Sequence, residues 1–167
     1  MKIFAVRIGE KYGPEYETYL ERKLSKYEIV WIREPYDSRV ELQWNKMWAM
    51  QQDIDEPICV MDIDVLLVND YEKIFEHPVN RGQFVAMPGW WRDTKKEGYK
   101  INGGFFKYYP KDCKYIYEKF MSDVSQSRSQ RVNHASGNVI SSSLSFTESS
   151  TKYCSPFTGP FVVPLSI

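Results

Sequence analysis

The sequence predicts an α/β fold with a mixed, mainly parallel sheet flanked by helices, and three observations indicate it. Segments with the alternating pattern of strands and segments with the apolar spacing of helices follow one another through the first half of the chain. A nearly unbroken apolar run from Ile58 to Val68 is typical of a buried strand. The length of 167 residues suits one domain with a substantial core.

The first strand is predicted over Lys2–Ile8, where the residues alternate and favour β structure. A helix follows, because Gly13 and Pro14 form a typical helix start. Its apolar residues recur at helical spacing, at Tyr16, Leu20, Leu24 and Tyr27. A second strand is predicted over Glu28–Arg33.

A second helix is predicted between this strand and the apolar run. Asp37 or Ser38 can cap its first turn. Its apolar side chains form one stripe, made by Val40, Trp44, Met47 and Trp48. Pro57 ends the helix, and the strand that begins at Ile58 follows directly.

Three more elements are predicted downstream: a short helix capped by Asn69 or Asp70, a strand over Gln83–Met87, and a β-rich segment over Ile101–Tyr109. Pro110 then begins a helix. The apolar face of that helix carries Cys113, Ile116, Tyr117 and Phe120.

The loop over residues 88–98 is polar and carries two adjacent aromatic side chains, Trp90 and Trp91. Such a loop either lines the mouth of a site or places an aromatic ring in the core. Asp93 and Glu97 in the same loop are candidate bases.

Charge and hydropathy exclude some functions. The 22 basic residues equal the 22 acidic ones and no basic stretch occurs, which argues against nucleic-acid binding. The N-terminus has no signal-peptide core, and no segment approaches the roughly 20 apolar residues of a membrane span. We expect a soluble cytoplasmic protein, located in the host cytoplasm if the chain is viral.

Composition changes sharply near Met121. All five tryptophans and most charged residues lie before this point, whereas serine dominates after it. We therefore expect a ligand-binding domain over residues 1–121 and a serine-rich, poorly ordered tail over residues 122–167, because the tail lacks the apolar repeat that would offset its ordering entropy. The apolar stretch Phe157–Ile167 contains two prolines and can form a short edge strand at most.

Asp62 and Asp64 are the most informative residues, because they stand within the apolar run. A carboxylate removed from water needs a compensating partner. In an extended segment, side chains two residues apart point the same way, so both could approach one divalent cation. Oxygen ligands suit Mg²⁺ or Mn²⁺, which commonly bind substrate phosphates as well. The alternative is a strand that ends in a solvated acidic turn.

Other chemistry has little support in the sequence. His77 and His134 are the only histidines, so few side chains could serve as the base of a nucleophilic triad. No glycine-rich phosphate loop follows the first strand. Lys46 is the best candidate for a cation at a diphosphate, because it lies in the helix that leads into the Asp62 strand; the alternative is an ordinary solvated lysine.

The order of Asn45-Lys46, then Asp62-Ile63-Asp64, then Asn102-Gly103-Gly104 resembles the GT-A nucleotide-sugar glycosyltransferases, especially glycogenin-like enzymes and small viral transferases of the chlorovirus type. In glycogenin-like enzymes a lysine on a helix precedes an Asp-x-Asp motif at similar spacing, and an Asn-x-Gly begins the strand beside the sugar. The resemblance covers roughly residues 2–121.

The resemblance implies a metal-dependent transfer from a UDP-sugar to a glycan or glycoprotein, with no nucleic acid involved. Asp62 and Asp64 would bind Mn²⁺ or Mg²⁺, and Lys46 would contact the diphosphate or the sugar. The remaining contacts would come from two segments. Val6, Arg7 and Tyr12 would receive the uridine, and Asn102, Gly103 and Gly104 would border the sugar.

The sequence departs from the family at its C-terminal part, where the serine-rich tail replaces the histidine that completes the family's metal site. Two alternatives therefore stay open. One is a shortened module that binds a sugar nucleotide without turnover. The other is a phosphatase of the haloacid-dehalogenase type, which also carries Asp-x-Asp after an apolar strand, although normally after the first one.

Overall fold

The computed structural model describes residues 1–88, 101–133 and 161–164. Strand β1 spans Lys2–Val6, helix α1 spans Pro14–Lys23, and strand β2 spans Glu28–Ile32. Proline is well tolerated at the start of α1, because a backbone N–H at this position would have no hydrogen-bond partner within the helix. The first three predicted elements are therefore confirmed, with bounds that differ by a few residues.

A 3-10 helix spans Leu42–Gln51, where an α-helix was predicted. The side-chain amide of Asn45, which is fully buried, donates to the carbonyls of Val40, Glu41 and Leu42 at 3.1–3.4 Å, at the start of this helix. A side chain that occupies these carbonyls competes with the α-helical hydrogen-bond ladder. The predicted cap at Asp37 is also wrong, because its carboxylate binds Arg39 and the residue before the helix is Glu41.

The second half of the described chain contains the remaining elements. They are strand β3 (Ile58–Met61), helix α2 (Glu72–Glu76), strand β4 (Gln83–Pro88), strand β5 (Ile101–Tyr108), helix α3 (Pro110–Asn133) and strand β6 (Phe161–Pro164). Each of the elements predicted from Ile58 onward is present. The predicted apolar face of α3 is buried or partly buried.

These strands form a six-stranded sheet in the order β2-β1-β3-β5-β4-β6. Strand β1 pairs in parallel with β2 and with β3. Strand β5 is antiparallel to both β3 and β4, and β6 is antiparallel to β4. Four strands, β2, β1, β3 and β4, therefore run in one direction, which confirms a mixed α/β sheet.

Helices cover both faces of the sheet, because alternate residues of each central strand point to opposite sides. Phe4, Ile58 and Val60 pack on one side against the 3-10 helix and α3. Ile3, Cys59 and Met61 pack on the other side against α1 and α2. The central strands β1 and β3 are thus buried on both faces, which explains the apolar runs Ile3–Val6 and Ile58–Met61.

Helix α3 continues past Met121, where the composition predicted a boundary, and ends at Asn133. Strand β6 lies at the edge of the sheet beside β4. The division into residues 1–121 and 122–167 stays a prediction, since most of the second range lies outside the described residues. In the part of the chain that the structure describes, no helix is long and apolar enough to cross a membrane.

Lys107 of β5 is buried, with 5% of its surface exposed. Its ammonium donates to the backbone carbonyls of Phe75 and His77, both at 2.6 Å, and so binds the C-terminal end of α2. Burial lowers the pKa of Lys107 from its ordinary value of 10.5. The ammonium therefore stabilises α2 through hydrogen bonds to two carbonyls that would otherwise have no donor.

We expect Lys107→Met to lower the free energy of unfolding by about 2 kcal/mol, because it leaves two poorly solvated carbonyls unpaired. Urea unfolding followed by circular dichroism measures this change. Lys114→Met, at an exposed lysine of α3, is the matched control and should change stability by less than about 0.5 kcal/mol. An equally stable Lys107→Met variant would contradict the assigned role.

Candidate functional site

Asp62 and Asp64 lie just beyond the end of β3, which the structure ends at Met61. The pair therefore stands in a turn, and the argument from extended backbone does not apply to it. Burial nevertheless alternates: Ile63 is 4% exposed and packs in the core, whereas Asp62 is partly exposed and Asp64 is exposed. Both carboxylates thus reach the C-terminal edge of the sheet, the end at which β1 and β3 finish, while Ile63 packs in the core and holds the turn.

Lys46 reaches this edge from the 3-10 helix. Its ammonium donates to Asp62 Oδ1 and to the carbonyl of Gly103, both at 2.7 Å. The lysine side chain is 7% exposed and that of Asp62 is 37% exposed. Asp62 therefore has a compensating positive charge within the protein, and its burial alone does not require a metal ion.

The segment Asn102-Gly103-Gly104 comes to Lys46 through an irregularity in β5. The register of β4 with β5 shifts between Ala86 and Met87, whose partners are Phe106 and Asn102. Residues 103–105 of β5 are thus extra relative to β4, as in a β-bulge. The bulge directs the Gly103 carbonyl toward Lys46, and the Gly104 carbonyl accepts the backbone N–H of Asp62 at 3.0 Å.

Two local features explain the glycines. The Asn102 side-chain oxygen accepts the N–H of Gly104 at 2.8 Å, which fixes the turn within the bulge. A Cβ at Gly104 would lie 3.2 Å from that oxygen, and one at Gly103 would lie 3.5 Å from the Lys46 nitrogen. A side chain at Gly104 would crowd the Asn102 oxygen, whereas a Cβ at Gly103 would make an ordinary van der Waals contact with the lysine.

Tyr12 joins Asp64 to the segment that follows β1. Its hydroxyl donates to Asp64 Oδ2 at 2.6 Å, and its ring contacts that of Tyr16 edge to face. Arg7 donates to the Tyr12 carbonyl at 3.2 Å. Val6, the last residue of β1, packs against the core. The structure thus brings Val6, Arg7 and Tyr12 to the edge that carries the Asp pair.

Glu17 of α1 is a site neighbour that the sequence did not single out. Its carboxylate accepts from Arg7 at 3.2 Å and from Arg33 at 3.0 and 3.1 Å. The hydrogen bonds from Arg33 are the main cause that lowers the pKa of Glu17 from its ordinary value of 4.5. The sequence feature that could have indicated this contact is the position of Glu17 in the first turn of α1, the helix that follows β1 and Arg7.

The donor set suits a hard cation in part. One oxygen of each Asp carboxylate already has a protein partner, Lys46 for Asp62 and Tyr12 for Asp64. Each keeps a second oxygen, and Mg²⁺ or Mn²⁺ commonly accepts one or two carboxylates together with water and phosphate. Within residues 1–88, 101–133 and 161–164, no group of three or more His, Cys, Asp or Glu side chains is placed to hold a metal.

Some predicted residues lie outside the described part of the chain. These are Trp90, Trp91, Asp93 and Glu97 of the polar loop, together with His134.

Comparison of the chain with protein-family models, with curated proteins and with solved structures gave no match.

We expect Glu17→Gln to lower the free energy of unfolding by about 1 kcal/mol near neutral pH, because it weakens two partly exposed ion pairs. A carboxyl with a lowered pKa in the folded state stabilises above its unfolded pKa and loses that effect as pH falls through the folded value. The difference between wild type and Glu17→Gln should therefore shrink below the ordinary value of 4.5.

Urea unfolding over a pH series measures this difference. Glu118→Gln, at an exposed residue of α3, is the matched control and should show no such pH dependence. A Glu17→Gln difference that stays constant into the acid range would show that charge is not its source.

Proposed function

We propose that this chain binds a nucleoside diphosphate sugar together with a divalent cation and transfers the sugar to an acceptor. The observation that carries the proposal is the position of Lys46, buried between Asp62 and Gly103. Three segments that are far apart in sequence meet at this ammonium. They are the same segments on which the resemblance to GT-A glycosyltransferases rests.

Charge supports the dependence on a cation. Lys46 forms an ion pair with Asp62, and the ammonium of Lys11 lies beside the Tyr12 ring and near Asp64, so the edge as a whole is not negatively charged. The carboxylate oxygens of Asp62 and Asp64 would nevertheless repel a diphosphate placed directly against them without a divalent ion. A cation at the two free carboxylate oxygens reverses the local charge, and it would act as a Lewis acid toward the leaving diphosphate.

Lys46 has a second role in the proposal. An ammonium has three N–H donors, and Asp62 and Gly103 accept two of them. The third is available to a phosphate or sugar oxygen. In the transfer the bond from the sugar C1 to the phosphate oxygen breaks with its electron pair on the diphosphate, and the acceptor hydroxyl oxygen bonds to C1 and releases its proton. Lys46 stabilises the charge that develops on the diphosphate.

Binding without turnover is the second candidate. It is favoured by the small number of ligands, because the described residues supply only two carboxylates and each already has one protein partner. Such a site would hold a metal–nucleotide complex weakly.

Titration calorimetry with UDP tests the proposal. We expect UDP to bind in the presence of Mn²⁺ and to bind at least about tenfold more weakly without it, because the oxygens of the Asp pair repel the diphosphate unless a cation lies between them. Asp64→Asn should reduce the gain that Mn²⁺ gives, and it should fold normally because Asp64 is exposed. Asp53→Asn, at another exposed aspartate, is the matched control.

Equal UDP affinity with and without Mn²⁺, or no UDP binding at all, would overturn the proposal. Release of sugar from a UDP-sugar then separates transfer or donor hydrolysis from binding without turnover. Release of phosphate from a phosphomonoester, without UDP binding, would favour the phosphatase alternative.

A further inference from the structure

An open pocket of about 340 Å³ lies beside Asp64, on the side of α1. Its walls are formed by the start of α1 and by the segment that follows β3. The lining residues are Glu15, Tyr16, Tyr19, Ile63, Asp64, Val65 and Leu66. The pocket thus shares Asp64 with the candidate site, whereas Lys46 and Asn102 do not line it.

Hydrogen bonds and ring contacts hold the walls in place. The Tyr19 hydroxyl donates to the Leu67 carbonyl at 3.2 Å and accepts the Leu67 N–H at 3.0 Å, which joins α1 to the segment after β3. Tyr16 packs against Tyr12, with 5.0 Å between ring centres. Leu66, by contrast, is 74% exposed at the rim, an unusual position for a large apolar side chain.

The polar groups of the pocket are almost all acceptors. Glu15 and Asp64 contribute two carboxylates; no lysine or arginine lines the pocket, and Lys11 lies outside the lining, beside Tyr12 and near Asp64. The Tyr19 hydroxyl is already bonded to Leu67, so the Tyr16 hydroxyl is the remaining side-chain donor of the lining. Two negative charges over apolar walls disfavour a phosphate. A neutral sugar would find few donors for its hydroxyl oxygens.

We propose that this pocket binds the basic side chain, lysine or arginine, of a polypeptide. The aliphatic stem of such a side chain fits against Val65 and Leu66, and its charged end reaches Glu15, the carboxylate of the lining that the proposed metal site does not use. Charge complementarity and amphipathic shape together select this occupant over an anion or an uncharged chain.

The pocket also deepens the proposed function, and this second part of the inference rests on it. Because Asp64 borders both sites, a polypeptide whose basic residue is held by Glu15 would lie beside the sugar donor while Asp64 binds the divalent cation. The acceptor would then be a polypeptide that carries a lysine or arginine near the hydroxyl that receives the sugar.

Protein NMR with small probes tests the pocket directly. We expect n-butylammonium and n-butylguanidinium to shift the backbone amides of Tyr16, Tyr19 and Ile63–Leu66 in a saturable way. The uncharged n-butanol should bind about fivefold more weakly or not at all. Glu15→Gln should weaken n-butylammonium binding by about fivefold, because it removes one carboxylate. Glu118→Gln is the matched control and should not alter it.

Three results would overturn the pocket assignment: no saturable shifts, equal binding of n-butanol, or tighter binding of a methyl glycoside at the same amides, which would indicate a glycan surface. Failure of the proposed function is distinguishable, because Glu15→Gln should leave Mn²⁺-dependent UDP binding unchanged. If UDP does not bind while n-butylammonium does, the acceptor role is wrong and the pocket assignment stands.

Discussion

The ammonium of Lys46 is the interaction on which the candidate site depends. It is buried, and it lies 2.7 Å from Asp62 Oδ1 and 2.7 Å from the Gly103 carbonyl. Taking an ammonium out of water is costly unless a charge and hydrogen bonds compensate it. The segments that carry Lys46, Asp62 and Gly103 therefore depend on one another. Without Asp62 the buried ammonium has no counter-charge, and without Lys46 the partly buried carboxylate has none.

The sheet makes this meeting possible. Strand β5 lies between β3 and β4 and runs antiparallel to both, so the start of β5 meets the end of β3 at one edge. The bulge at residues 103–105 brings backbone carbonyls toward that edge. On the other side of β3, the parallel strand β1 ends near the same place and delivers Arg7 and Tyr12. The mixed strand directions thus bring groups from four segments together at one edge.

Much of the fold could be predicted from the sequence, because local signals decide it. Pro14 begins α1, and the apolar runs of β1 and β3 reflect burial on both faces. The 3-10 helix could not be predicted from periodicity, because hydrogen bonds such as those of the Asn45 side chain to Val40, Glu41 and Leu42 compete with the α-helical pattern and leave no periodic signal. The antiparallel placement of β5 depends on long-range pairing, which leaves no local pattern in the sequence.

Several residues of the candidate site were named from the sequence, but the contacts between them were not. The order of Lys46, Asp62 and Asn102 indicated one site. A metal ion was expected to compensate the charge of Asp62, whereas in the structure Lys46 does so. Side chains from distant segments pair according to tertiary packing, and packing also brings Glu17 to Arg7. Tyr12 was expected to contact the uridine, and the bond from its hydroxyl to Asp64 was not foreseen.

A double-mutant cycle on Lys46 and Asp62 tests the central claim most directly. The free energies of unfolding of Lys46→Met, Asp62→Ala and the double variant are measured against wild type. If the ammonium and the carboxylate compensate each other, the two changes are non-additive, with a coupling energy of about 1–2 kcal/mol, because Asp62 is partly exposed. Additivity within about 0.3 kcal/mol would contradict the account.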